Sequence, residues 1–163
     1  MPFDYYNRLS KRNQAIYRQS DRLTDVTLKM PQALQPGIPI LRQALADDDR
    51  RAVELACKGL VAGLCADLEV VPANVKVLAV RPHNDYAELH GLYEAGEGRR
   101  RALISLWMRT ARHKRVVAFK TFLRTLLHEF CHHLDYEHYR LAESFHTEGF
   151  FKRESSLFKQ LVE

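Results

Sequence analysis

The segment Thr125–Phe151 contains the residues of this chain whose types and spacing indicate chemistry. It includes the H-E-x-x-H pattern, which begins at His128 and ends at His132. On a helix, residues four apart lie one turn above each other, so these two histidines can reach one metal ion. Two neutral imidazoles at this spacing suit Zn²⁺, and Glu129 is placed to take a proton from water on that metal. The pattern predicts a zinc-dependent hydrolase.

A catalytic zinc ion usually has three protein ligands and an open position for water, so a third ligand must lie downstream. His138 stands where metzincins have theirs, but Asp135 replaces the glycine at which their chain turns, and no methionine follows Met108. His146 opens the sequence HTEGF ahead of an amphipathic segment. Carboxylate ligands are the other alternative, offered by Glu143, Glu148 and Glu154. The residues by themselves leave these choices open.

The two histidine motifs resemble those of the SprT-like minimal zincins, a group of H-E-x-x-H zinc metallopeptidases. HEFCH is followed by a short connection and then by H-x-x-x-F in HTEGF, and the strand ALISLWM precedes the long helix as the family's edge strand does. The resemblance spans roughly residues 75–160. It implies that Zn²⁺ is bound by His128, His132 and His146 and that Glu129 is the general base. HTEGF lacks the Gly-Pro of the usual motif, and no Cys-type zinc ribbon is present.

Several residues near the motif have other interpretations. His133 is turned about 100° from its neighbour on the helix, so we expect a structural hydrogen bond rather than metal binding. Asp135 can accept a hydrogen bond from a ligand imidazole, or simply lie on the helix face. Cys131 is predicted to pack. Four side chains are candidates to stabilise the oxyanion of a tetrahedral intermediate: Tyr136, His138, Tyr139 and Arg140.

Hydrophobic periodicity predicts the elements that position these residues. A helix is predicted over 47–68, another from about Lys114 through Leu134, and a last one after Gly149. Between the first two lie three predicted strands, which we expect to form a meander: Val75–Val80, Tyr86–Tyr93 and Ala102–Met108. The fold class is therefore α+β. We expect a zincin-like fold, with a small three- to four-stranded sheet, packed helices and the H-E-x-x-H pattern on the active-site helix.

The length of 163 residues predicts one domain and excludes a large multi-domain enzyme. We expect a single zincin-like metallopeptidase domain over residues 1–163. Residues 1–38 are predicted to be a helical or loop extension, with a surface helix within 4–25 that is broken by three prolines, Pro31, Pro36 and Pro39. No apolar run reaches the roughly 18 residues of a membrane span, and the first residues are polar. Three cysteines are too few for a disulfide framework, so a cytoplasmic location is expected.

The net charge of +5 is unevenly distributed. Between Arg99 and Leu127 there are nine Lys and Arg residues and no Asp or Glu. Such a stretch can contact nucleic acid through residues 99–124, or it can be a solvated surface. Both interpretations stay open.

These observations together predict a zinc metallopeptidase that acts on a peptide or protein. An extended substrate is expected to pair with the strand Ala102–Met108, which we expect to be an exposed sheet edge. Two other classes remain as alternatives. One is a zincin-like binding module with a structural metal, and the other is a nucleic-acid-associated protein with little or no protease activity.

Overall fold

The computed structural model of the protein describes residues 2–80, 91–111 and 113–163. Within these ranges six α-helices and a three-stranded mixed sheet form an α+β fold, which confirms the coarse fold class. The helices are α1 (Lys11–Arg22), α2 (Pro31–Leu34), α3 (Gly37–Ala46), α4 (Arg50–Leu68), α5 (Phe119–Glu137) and α6 (Glu148–Val162). The strands are β1 (Asn74–Val80), β2 (Gly91–Glu94) and β3 (Leu103–Arg109). No helix in the described ranges is both long and apolar enough to cross a membrane.

The strand order in the sheet is β1-β3-β2, with β1 parallel and β2 antiparallel to β3. The predicted meander is therefore wrong, because a meander would place β2 in the centre. Residues 104–108 of β3 are all buried, and a strand that is apolar on both faces belongs inside a sheet. The expectation that Ala102–Met108 is an exposed edge is wrong for the same reason. Of the predicted strand Tyr86–Tyr93, residues 86–90 lie outside the described part of the chain.

The outer edge of β1 is occupied by side chains of α4. Glu54 accepts a hydrogen bond from the Val77 N–H over 3.0 Å, and Arg50 donates to the Val77 carbonyl over 2.8 Å. The Val77 N–H lowers the pKa of Glu54, so this carboxylate stays charged. Covering an edge in this way blocks further strand pairing. In the described part of the sheet, β2 is therefore the edge at which backbone groups can meet another chain.

Helix α5 begins about five residues later than its periodicity predicts. The preceding residues turn back along β3, with the Val117 N–H donating to the Met108 carbonyl over 2.8 Å. From Phe122 onwards the predicted apolar stripe is buried, as the accessibility of Phe122, Leu126 and Phe130 shows. His128 and His132 of the H-E-x-x-H pattern lie outside this stripe and are only partly buried.

The N-terminal residues pack into the same core as the rest of the chain. They form a 3₁₀ helix at Asp4–Arg8 followed by α1, and the proline-containing stretch forms α2 and α3 instead of only breaking a helix. Pro31 occupies the first turn of α2, where its missing N–H costs nothing. Residues 1–38 supply several side chains to the hydrophobic core: Val26, Leu28, Leu34 and Ile38.

Helices α1 and α6 meet at Gly149. A Cβ atom added there would lie 2.6 Å from the carbonyl oxygens of Ser20 and Asp21. The Gly149 N–H also donates to the Asp21 carboxylate over 3.1 Å. The two helices approach this closely because residue 149 has no side chain, and this contact lies three residues after His146.

Replacing Gly149 by alanine should destabilise the protein, because the new Cβ meets rigid backbone. We expect the free energy of unfolding to fall by about 1–3 kcal/mol in urea titrations. The matched control is Gly59→Ala in α4, where an added Cβ meets nothing within 4 Å. That alanine should stabilise its helix by about 0.5–1 kcal/mol. A Gly149→Ala protein as stable as wild type would contradict the close crossing of α1 and α6.

Candidate metal centre

The imidazoles of His128, His132 and His146 converge at the wall of a surface cleft, which Glu129 also lines. The Nε2 atom of His146 lies 3.1 Å from Nε2 of His128 and 3.0 Å from Nε2 of His132. In the described residues these three form the group that could hold a metal ion, with ligand atoms within 4.8 Å of one another. Nitrogen ligands about 2.0–2.1 Å from a tetrahedral zinc ion lie about 3.3 Å apart. The observed spacing is close to that value.

A hydrogen-bond chain fixes the tautomer of His132. Its Nδ1 lies 2.6 Å from the Ser144 hydroxyl oxygen, and that hydroxyl donates to the Asp135 carboxylate over 2.7 Å. Since the Ser144 proton is already used, its oxygen accepts from the Nδ1–H of His132. The Nε2 atom of His132 therefore carries a lone pair. The predicted link between Asp135 and a ligand imidazole exists, but it passes through Ser144.

The tautomer of His128 is fixed by a carboxylate. Its Nδ1 lies 2.9 Å from Oε1 of Glu154, which is 9% exposed. A carboxylate can only accept, so Nδ1 carries the proton and Nε2 carries the lone pair. Glu154, one of the alternative third ligands, is thus placed on the opposite nitrogen of His128 from the one that faces the other imidazoles.

The donor set fits a cation. Two bare Nε2 lone pairs face the Nε2 of His146, and a proton on His146 satisfies at most one of them well. A positive ion among the three satisfies all of them. Burial, together with the charge on neighbouring imidazoles, lowers the pKa of His132 to about 3 and also lowers the pKa of His146. Both rings are then neutral at neutral pH, which is the form that binds Zn²⁺.

Glu129 lies beside these imidazoles with only 6% of its surface exposed. It lines the cleft, whose volume is about 580 Å³, and also a smaller cavity of about 290 Å³. Burial raises the pKa of Glu129 to about 6, opposed by His128 and reinforced by the Glu154 carboxylate. A buried carboxylate with a raised pKa suits a general base.

Gly91 allows β2 to lie directly on the H-E-x-x-H helix. A Cβ atom added at Gly91 would lie 2.9 Å from Cγ2 of Thr125 and 3.0 Å from Cγ of Glu129. No larger residue fits without moving these side chains. The edge strand therefore passes immediately above the candidate base.

The histidine that directly follows the motif has a structural role. His133 is fully buried, its Nε2 lies 2.7 Å from the Val71 carbonyl, and its Nδ1 lies 2.9 Å from the Tyr93 hydroxyl. The ring donates to the carbonyl and accepts from the tyrosine. The expectation of a buried hydrogen-bonding role for His133 is confirmed, and the ring links α5 to β2.

The structure separates the four oxyanion candidates. Tyr136 lines the smaller cavity together with Glu129 and His132. His138 is exposed at the end of α5 and its ring lies 4.8 Å from that of Tyr139. Arg140 extends into solvent and pairs with Glu137 at 3.7 Å. Tyr139 packs against the hydrophobic core instead. Tyr136 alone among the four lines a described cavity next to the imidazoles.

Sequence reasoning missed three residues that support the site. The Tyr5 hydroxyl donates to the backbone carbonyl of His146 over 2.6 Å. Ser144 links His132 to Asp135, and the fully buried Arg153 donates to Asp135 over 2.9 Å. A signal for Arg153 was present, since it stands three residues after Phe150 and four before Leu157 on the apolar face of α6. No short-range signal marked the other two.

The basic stretch is partly neutralised within the chain. Arg109 pairs with Asp48, Arg100 lies 3.8 Å from Glu97, and Arg124 lies 3.7 Å from Glu154. Because these cations have acidic partners, the stretch is less positive than its sequence suggests. Nucleic-acid binding through residues 99–124 stays a prediction.

Comparisons with protein-family models, with curated proteins and with solved structures found no match for this chain. The interpretation of the site therefore rests on its geometry and on the chemistry of its side chains.

Replacing His146 by alanine should weaken zinc binding by more than the roughly 100-fold that loss of an outer hydrogen-bond partner costs, because a direct ligand is removed. The matched control is His138→Ala, which should bind zinc like wild type. Competition with a chromophoric chelator measures both affinities. The reverse order would assign the third ligand to His138.

Replacing Ser144 by alanine should lower zinc affinity by about 10- to 100-fold, since the His132 Nδ1–H loses its acceptor while all three ligands remain. Ser155→Ala is the control, because Ser155 lines a different cavity. Isothermal titration with zinc gives the affinities. Wild-type affinity in Ser144→Ala would show that the hydrogen-bond chain does not orient His132.

Proposed function

We propose that the protein is a zinc-dependent metallopeptidase with a zincin-like fold. The observation that carries this proposal is the convergence of three Nε2 atoms beside the buried carboxyl of Glu129, at the wall of an open cleft. His128 and His132 come from α5, and His146 comes from the loop that precedes α6. Each of the first two is held in the tautomer that a metal ion requires.

The ligand set supports a catalytic metal over a structural one. Structural zinc sites are usually closed by four protein ligands, whereas catalytic sites keep one position open. In the described residues, no fourth His, Cys, Asp or Glu joins the group of three histidines. When bound, zinc would polarise the scissile carbonyl and make water a better nucleophile.

Glu129 performs the proton transfers in this proposal. Its carboxylate accepts a proton from the attacking water and then delivers that proton to the leaving amine. Burial favours this role, because a raised pKa makes the carboxylate a stronger proton acceptor, and a value of about 6 still leaves it deprotonated at neutral pH. Glu129 lines both cavities, which supports a position next to the scissile bond.

We infer that an extended peptide lies along β2. The other outer strand, β1, has its Val77 backbone groups occupied by Arg50 and Glu54, and β3 is central. Strand β2 lies over α5, and Leu92 on it is 38% exposed. Main-chain pairing of this kind provides affinity with little dependence on sequence.

The resemblance to SprT-like minimal zincins is part of this proposal. It is supported by the joint position of HEFCH and HTEGF around one point, which brings His146 to the first two histidines. It requires one change in the assignment of strands, since β2 and not ALISLWM takes the place of the edge strand.

Replacing Glu129 by glutamine should remove the proton acceptor and leave the zinc ligands in place. We expect zinc content equal to wild type and peptide hydrolysis lower by at least about 100-fold. Glu137→Gln, near the end of the same helix, is the matched control and should keep full activity. Cleavage of a mixed peptide library, with zinc content measured in parallel, provides both readouts.

Two outcomes would contradict the proposal. Full activity in Glu129→Gln would reject Glu129 as the base. A wild-type protein that carries one zinc ion per chain but cleaves no member of the library would support a metal-stabilised binding module instead.

A further inference from the structure

The two cavities beside Glu129 differ in charge. The larger one extends towards the N-terminal end of α5. Among the described residues that line it, Arg124 is the one lysine or arginine, and the Glu154 carboxylate lines it as well. The smaller one is lined mainly by apolar and aromatic side chains of β2 and α5, with no lysine or arginine among its described residues. A peptide that occupied both cavities would therefore meet an arginine in the larger one only.

Arg124 is held in a defined position. Its guanidinium carbon lies 4.1 Å from the centre of the Phe158 ring, in a cation–π contact. Its Nη1 lies 3.7 Å from Oε2 of Glu154, which is longer than a hydrogen bond. The other oxygen of Glu154 already accepts the His128 Nδ1–H. The guanidinium is thus oriented, and its N–H donors are only loosely engaged by Glu154.

The position of Arg124 on α5 determines how far from the scissile bond its guanidinium would contact a substrate. Arg124 precedes His128 by one helical turn, a rise of about 5.4–6 Å. An extended peptide advances about 3.3 Å per residue. In the proposed binding mode the peptide follows β2, which lies over α5 at Gly91. A group that contacts Arg124 is then about two residues away from the scissile bond. Side-chain exposure of 46% leaves the guanidinium accessible from the cleft.

We infer that Arg124 binds a carboxylate of the substrate, about two residues from the bond that is cleaved. This inference rests on the proposed peptidase function and makes Arg124 a specificity residue for it. A guanidinium offers paired N–H donors that match the two oxygens of a carboxylate. Two sources carry that chemistry, an Asp or Glu side chain and the free C-terminus of a peptide.

Binding to the zinc-loaded Glu129→Gln protein tests the inference without turnover. The probes are pools of dye-labelled hexapeptides in which one position is fixed as Glu or as Gln and the other positions vary. Each pool is made in two forms, one with a free C-terminal carboxylate and one with a C-terminal amide. Fluorescence anisotropy gives the affinity of each pool. We expect either the Glu pool to bind about tenfold or more tightly than the Gln pool, or the acid form to bind that much more tightly than the amide form. The first result assigns the carboxylate to a side chain, and the second assigns it to the C-terminus.

Substitution of Arg124 in the same background should abolish that preference. In Arg124→Gln the acidic and neutral pools should bind equally, with the affinity of the neutral pool unchanged. Arg124→Lys should restore part of the preference, because the charge returns without the paired donors. Lys120→Gln is the matched control, since Lys120 lies on the same helix with the same charge but does not line the cavity. It should keep the full preference.

The results that would overturn the inference are distinct from those that would overturn the proposed function. Equal binding of acidic and neutral pools by the Glu129→Gln protein, or a preference that persists in Arg124→Gln, rejects Arg124 as the carboxylate site. An equal loss for both pools in Arg124→Gln, or a loss of zinc, assigns Arg124 a purely structural role. A preference that depends on Arg124 in a protein whose wild type cleaves nothing supports the carboxylate site and rejects the peptidase.

Discussion

The candidate site depends on one buried ion pair, between Arg153 of α6 and Asp135 of α5, both of which are fully buried. Burial raises the pKa of Asp135, and the Arg153 guanidinium and the Ser144 hydroxyl oppose that rise. Arg153 also donates to the Ser20 and Leu23 carbonyls over 2.6 and 2.5 Å. Removing one partner of such a pair typically costs about 3–5 kcal/mol, because the other charge is left buried and unpaired. The pair therefore fixes α1, α5 and α6 relative to one another.

The same ion pair is connected to the candidate metal site by hydrogen bonds. Asp135 accepts from Ser144, and Ser144 accepts from His132, so the orientation of one imidazole is tied to the interior of the protein. His128 is oriented separately by Glu154, which accepts its Nδ1–H and lies one residue after Arg153 on α6. Two adjacent residues of one helix thus support both histidines of the H-E-x-x-H motif, one directly and one through Asp135 and Ser144.

Within the described residues, the sheet leaves one edge, that of β2, without a neighbouring strand. Arg50 and Glu54 of α4 occupy the backbone of β1, and the apolar character of β3 places it in the centre. Strand β2 is kept close to α5 by Gly91, whose missing side chain gives room to Thr125 and Glu129. Gly91 of β2, the proposed base and the three imidazoles therefore line the same cleft.

The sequence by itself determined what local periodicity can encode. The 3.6-residue period placed His128 and His132 on one face of a helix, and apolar spacing located α4, α5 and α6, because neighbours on a helix are near in sequence. The residues alone left His138, His146 and three glutamates open as the third ligand, and the resemblance to SprT-like zincins implied His146. The tertiary structure brings His146 within 3.1 Å of His128. It also decided the strand order, the place of Ser144 and the contact of Tyr5 with the His146 backbone. These depend on pairing between segments up to 141 positions apart, and such contacts are set by burial in the whole fold, which leaves no periodic trace along the chain.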